Sequence, residues 1–141
     1  MTHDIDVKTE LKLFIDRLTL KDVRCVTLNA NLIHESGIAP TAANFNFSET
    51  AEYGLEKNVF VCRLTGMAKF VNESELVAEV EARFVVIHEL SEGPEVSPEV
   101  QETYMEHNAI FIAYPYFREA IHSTGARLGL GNLVLDILKR S

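Results

Sequence analysis

Five histidines, His3, His34, His88, His107 and His122, and two cysteines, Cys25 and Cys62, are the side chains best suited to metal binding or nucleophilic chemistry. Their spacing supports neither. The chain has no His-x-x-x-His pair and no Cys-x-x-Cys, the arrangements that put two ligands on one helix face or one tight turn. A Gly-x-Ser-x-Gly elbow and a Walker-type phosphate loop are also missing, and Gly129-Leu-Gly131 lacks the downstream helix and acidic partner of a dinucleotide site. His88 stands beside Glu89 at a strand end, His107 near Tyr104 and Glu106, and His122 four positions after Arg118; none of these groupings specifies a reaction. Cys25 and Cys62 fall in separate strand-like segments and are expected to be two small buried side chains. The expectation is a protein without catalytic residues, bound metal or cofactor.

Composition narrows the class further. A chain of 141 residues, 47% hydrophobic and 24% charged, has the profile of a single globular domain with a sizeable core, so one domain over 1–141 is expected, with 1–9 as a flexible polar lead-in. A net charge of -8 argues against a nucleic-acid partner, which calls for a basic stripe to neutralise phosphates. Ten glutamates against one Arg, Arg83, lie between Glu73 and Glu106, a distribution suited to solubility or to steering a cationic partner. The N-terminus has neither the basic start nor the apolar run of a secretory signal, and no window is apolar for long enough to span a bilayer. A cytoplasmic location without direct membrane insertion is expected.

The elements that must carry any function read as follows. Leu11, Leu13 and Ile15 alternate and continue through Leu18, Leu20, Val23 and Cys25, which predicts a long strand with a bulge near Lys21-Asp22. Residues 29–41 read as a connecting loop, and Ala43, Phe45 and Phe47 as a strand with one wet face. The clearest pattern is a long antiparallel hairpin. Phe60, Cys62, Leu64, Gly66, Ala68 and Phe70 share parity with Leu76, Ala78, Val80, Ala82, Phe84 and Val86, so even positions face a core across a turn at Asn72-Glu-Ser74. Val59, Val61, Met67, Val77, Val85 and Ile87 leave apolar spots on the other face. Ser97 is placed to cap a helix with Pro98 at its first position. Pro115, framed by Tyr114 and Tyr116, predicts a corner between Ile112 and Phe117 that opens a second helix with Phe117, Ala120, Ile121 and Thr124 inward. Gly129 or Gly131 ends it. The apolar tail Leu133, Val134, Leu135, Ile137 and Leu138 is expected to dock on its own chain or on a neighbour. Four strands followed by two helices predict an α+β fold: a four-stranded antiparallel sheet with two C-terminal helices on one face.

The run Tyr114-Pro115-Tyr116-Phe117-Arg118-Glu119 resembles the aromatic-Pro-Tyr-x-Arg-Glu signature of the SecB family of protein-export chaperones. From about residue 10 to 138 the order of elements is similar to that fold. Asn108 precedes the aliphatic-aromatic run, and Ala126-Arg127-Leu128-Gly129 stands where the family has an Arg-Gly turn. Leu130-Gly-Asn-Leu-Val-Leu-Asp136 follows without the family's prolines; the further C-terminal extension that engages the translocation motor ATPase in the family is not expected after Lys139-Arg140-Ser141, and the motor ATPase and an antitoxin client both stay open as partners. The resemblance implies an ATP-independent holdase, assembled as a dimer of dimers (a homotetramer). Its client would be an unfolded or newly synthesised polypeptide, bound for export or as a dedicated antitoxin-type partner. It makes Pro115, Tyr116, Arg118 and Glu119 a structural signature, with Arg118 tying a helix end or interface. Aromatic and aliphatic residues at the sheet–helix junction, Phe45, Phe47, Phe111, Tyr114, Phe117, Leu133, Leu135 and Leu138, become candidate client contacts. The competing expectation is a non-enzymatic oligomeric binding protein for a single folded partner or for a small apolar ligand, the latter in a cavity lined by Phe60, Phe84 and Phe117.

Overall fold

The computed structural model describes residues 3–33, 38–48 and 52–131. The N-terminal segment is a helix rather than a strand. Helix α1 spans His3–Arg17, and strand β1 follows directly as Leu18–Leu32. The alternation of Leu11, Leu13 and Ile15 misleads because a second period is present: Val7, Leu11 and Phe14 form a helical stripe that packs on the core, with Phe14 fully buried. Leu13 and Ile15 point to solvent instead. The helix is fastened by Arg17, whose guanidinium donates to the Ser91 and Pro94 carbonyls at 2.9 to 3.1 Å.

The sheet has five strands, not four. Strands β2 (Ala42–Phe47), β3 (Glu52–Glu56), β4 (Val59–Asn72) and β5 (Glu75–Leu90) join β1 in the order β1-β5-β4-β2, with β3 also pairing β4. Every pairing is antiparallel. Strands β2 and β3 share one side of β4: β2 lies along Gly66 to Val71, and β3 along Val59 to Arg63. The β4–β5 hairpin has the expected parity over most of its length, with Phe60, Cys62, Leu64, Gly66, Ala68 and Phe70 buried opposite Ala78, Val80, Ala82, Phe84 and Val86; near the turn a register shift between Phe70 and Val71 breaks it, so Leu76 is half-buried and Val77, expected on the outer face, is fully buried. Its turn places Glu73 at a positive φ of 57°. The irregularity in β1 near Lys21 is a register shift between Leu20 and Asp22, joined by a second between Cys25 and Thr27.

Helix α2 (Pro98–Tyr104) starts as its sequence dictates, with Ser97 as cap and Pro98 in the first turn. Glu10 of α1 accepts from the Ser97 N–H at 2.7 Å and from its hydroxyl at 3.3 Å, so one helix holds the start of the next. The corner expected at Pro115 does not form. Helix α2 passes through a π-helical turn, Met105–Ala109, into α3 (Ile110–Arg127), and Pro115 lies exposed inside α3. A proline in a helix interior removes one N–H and crowds the carbonyl four residues back, at a cost of about 3 kcal/mol. Burial of Ala113, Tyr114, Phe117, Ala120 and Ile121 on the sheet outweighs that cost and keeps the helix continuous. At its end Gly129 takes a φ of +77° while its N–H donates to Ala126, and the Leu130 N–H donates to Gly125 at 2.9 Å. These paired bonds satisfy carbonyls the helix leaves open, and Leu130 is buried beside them.

Candidate functional site: an aromatic cleft at the sheet edge

Alternation along β2 turns Ala43, Phe45 and Phe47 toward the helices and Asn44 and Asn46 to solvent. On α3, Tyr114 and Phe117 stand three apart and share the face that meets them. The four rings form one cluster: Phe45 lies 4.9 Å from Phe47, 5.4 Å from Tyr114 and 5.5 Å from Phe117, while Phe47 lies 5.3 Å from Phe117. Most of these contacts are edge-on, the arrangement that the ring quadrupoles favour. Phe84 anchors the cluster to the sheet, 4.7 Å from Phe117. Gly66 makes the approach possible, since a Cβ there would sit 2.4 Å from the Phe45 ring and 2.9 Å from that of Phe117.

Burial falls outward across the cluster. Phe117 is sealed and Tyr114 nearly so, while Phe45 and Phe47 keep part of their surface in water. The bond from the Ser48 N–H to the Thr65 carbonyl, 2.7 Å, fixes the antiparallel alternation, which aims the main-chain groups of Phe45 and Phe47 off the sheet. Among the described residues no strand covers that side of β2. Among the described residues, aromatic surface and main chain without a strand partner therefore lie side by side.

Strand β3 contributes Tyr53 and Leu55, which sequence patterning missed because Glu52-Tyr-Gly-Leu-Glu offers only two apolar residues around a glycine. Tyr53 is half-buried. Desolvation, then the nearby carboxylates of Glu102 and Glu106, hold its phenol above the ordinary tyrosine range. Acidic side chains from α2 and the π turn thus face this edge. Three others lie elsewhere: Glu79 and Glu81 on the opposite sheet face, and Glu89 paired with Lys21 at 3.6 Å.

The remaining expected residues divide. Phe111 is half-buried on α3, outside the four-ring cluster. Pro115, Tyr116 and Glu119 are exposed, with Tyr116 resting 6.2 Å from Phe84, and Arg118 is half-buried. Leu133, Leu135 and Leu138 lie outside the described residues. Cys62 is buried, and burial pushes its thiol up to about 12, so it stays protonated. Cys25, expected buried, is exposed because the helices leave β1 uncovered. Glu119 and His122 stand one turn apart on α3, both exposed, and among the described residues no three His, Cys, Asp or Glu side chains group to hold a metal. No helix among them is long and apolar enough to cross a membrane. Phe60, Phe84 and Phe117 are packed into the core, the last two with ring centroids 4.7 Å apart.

An antiparallel five-stranded sheet backed by helices in this order is a SecB-like fold. The similarity is to the SecB-like chaperone Rv1957 of Mycobacterium tuberculosis, solved in complex with a ChAD peptide from the HigA1 antitoxin. The two superpose with a TM-score of 0.79 at 22% identity, over 96% of this chain and 99% of that one. No protein-family model matches the sequence, and neither does any curated protein.

Proposed function

We propose that this chain is an ATP-independent chaperone-type binding protein that captures an extended, apolar stretch of another polypeptide in the β2–α3 cleft. The observation that carries the reading is the union of the Phe45–Phe47–Tyr114–Phe117 cluster with an unpaired strand edge. An unfolded segment exposes the complementary pair, apolar side chains and unsatisfied main-chain groups. Burying the first contributes about 25 cal/mol per Å2, and strand addition satisfies the second. No bond is made or broken.

A dedicated partner is the favoured client, because the similar chaperone was solved with a peptide from an antitoxin. A broad pool of export clients is the wider form of the same reading. The working assembly is a homotetramer in the cytoplasm, built in part through β1, a 15-residue edge strand exposing Leu20, Val26, Leu28 and Leu32. The test is dilution of a chemically unfolded protein into buffer with and without this chain, reading light scattering and the mass of any complex. Suppressed aggregation with a stable complex supports the general holdase. Capture of one partner's peptide without general suppression supports the dedicated form, and failure of both removes the proposal.

A further inference from the structure

At the other end of the sheet His88 of β5 is buried, 2% exposed, beneath α1 and α2. Its Nε2 lies 2.8 Å from the Tyr104 hydroxyl, at the last residue of α2 before the π turn. The pair is enclosed by rings: Phe14 of α1 sits 5.6 Å from Tyr104 and 5.1 Å from Phe60, and Phe60 sits 6.1 Å from His88. No hydrogen bond reaches His88 Nδ1. The imidazolium would bury a charge beneath this aromatic layer, with only the Phe60 main chain to favour it.

We propose that His88 and Tyr104 form an acid-released latch that fastens the α1–α2 layer to the sheet. Burial lowers the imidazole's proton affinity, with the Phe60 main chain opposing the shift. No carboxylate is positioned to rescue the charge. Of the titratable groups on the packed elements, Cys62 and Tyr104 are held neutral, both pushed up to about 12 chiefly by burial. Glu10 is engaged by Ser97 and Arg17 by the Ser91 and Pro94 carbonyls. Lys21 and Glu89 pair at exposed positions flanking His88 and its strand neighbour Leu20. Because the released imidazole binds a proton more readily than the buried one, closure is complete above the ordinary histidine value of about 6.5 and weakens as pH falls below it. The switch acts on α2, which carries Glu102 at the cleft edge, yet it does not depend on what the cleft binds.

The test is hydrogen–deuterium exchange of the full chain at about pH 7.5 and about pH 5.5, corrected for intrinsic rates; the linkage predicts an increase of at most about tenfold in α1 and α2 opening, with β4 and β5 still protected. His88→Gln, which keeps a polar side chain but cannot titrate, should abolish that increase. An unchanged ratio in the wild type, or a full acid response in His88→Gln, overturns the proposal. If that variant does not fold, the imidazole nitrogens of His88 followed by NMR in the wild type decide: protonation below the ordinary value supports the latch, and protonation at or above it removes it.

Discussion

Gly66 is the residue on which the cleft most directly depends, because the Phe45 and Phe117 rings occupy the space a methyl group would take. Gly66→Ala should push the Phe45 ring outward and cost about 1–3 kcal/mol of stability as an overpacked site. Urea denaturation measures that loss, and fluorescence anisotropy of a labelled apolar peptide should show weakened binding by the folded fraction. Unchanged stability and binding would mean that Phe45 is not held where the cleft needs it. Tyr104→Phe isolates a second contact: leaving His88 Nε2 unsatisfied in the core should cost about 1–3 kcal/mol, also read by urea. At this scale the sequence was partly legible. Phe45 and Phe47 alternate with asparagines, and their inward direction follows from that alone. The buried pairing of His88 with Tyr104 was not legible, since it joins two elements whose separation in the chain says nothing of their contact.

Among the elements, α3 tests how local preference yields to packing. Pro115 marks a helix start by its own chemistry, yet the inward stripe on either side of it keeps one continuous helix. Pro115→Ala should restore a main-chain donor within that helix and raise the urea midpoint, corresponding to at most about 3 kcal/mol. A lower midpoint would mean that the ring stabilises a break there. The hairpin was readable because both long strands alternate over most of their length, broken only near the turn where Val77 and Ala78 are both buried and the register shifts. Helix α1 was not, because its apolar residues satisfy periods of two and of 3.6 at once, and only the burial of Phe14 beside Phe60 and Tyr104 selects the helix. Strand β3 is too short and too polar to announce itself.

For the whole molecule, the helices cover β4 and β5 and leave β1 open, so apolar residues on that strand remain in water in a single chain. If β1 contributes to assembly, Leu28→Lys should reduce the mass measured by sedimentation while the circular dichroism of the folded chain persists. Retention of the native mass would move the interface elsewhere. The α+β class and the likeness to a SecB-like fold were legible in residue patterning and in the run from Tyr114 to Glu119. The placement of five strands and the acidic rim beside Tyr53 required three dimensions, because distant segments build both. A polypeptide segment lying along β2 against the aromatic cluster can be detected by cross-linking from a photoreactive residue placed at Asn46 to a bound unfolded client or candidate partner peptide, followed by mass mapping. Adducts should form from Asn46 and be lost in Phe45→Ala/Phe47→Ala, with no comparable adducts from a probe at Glu81 on the opposite sheet face. Equal labelling from both positions, or adducts that survive removal of the two rings, would contradict that placement.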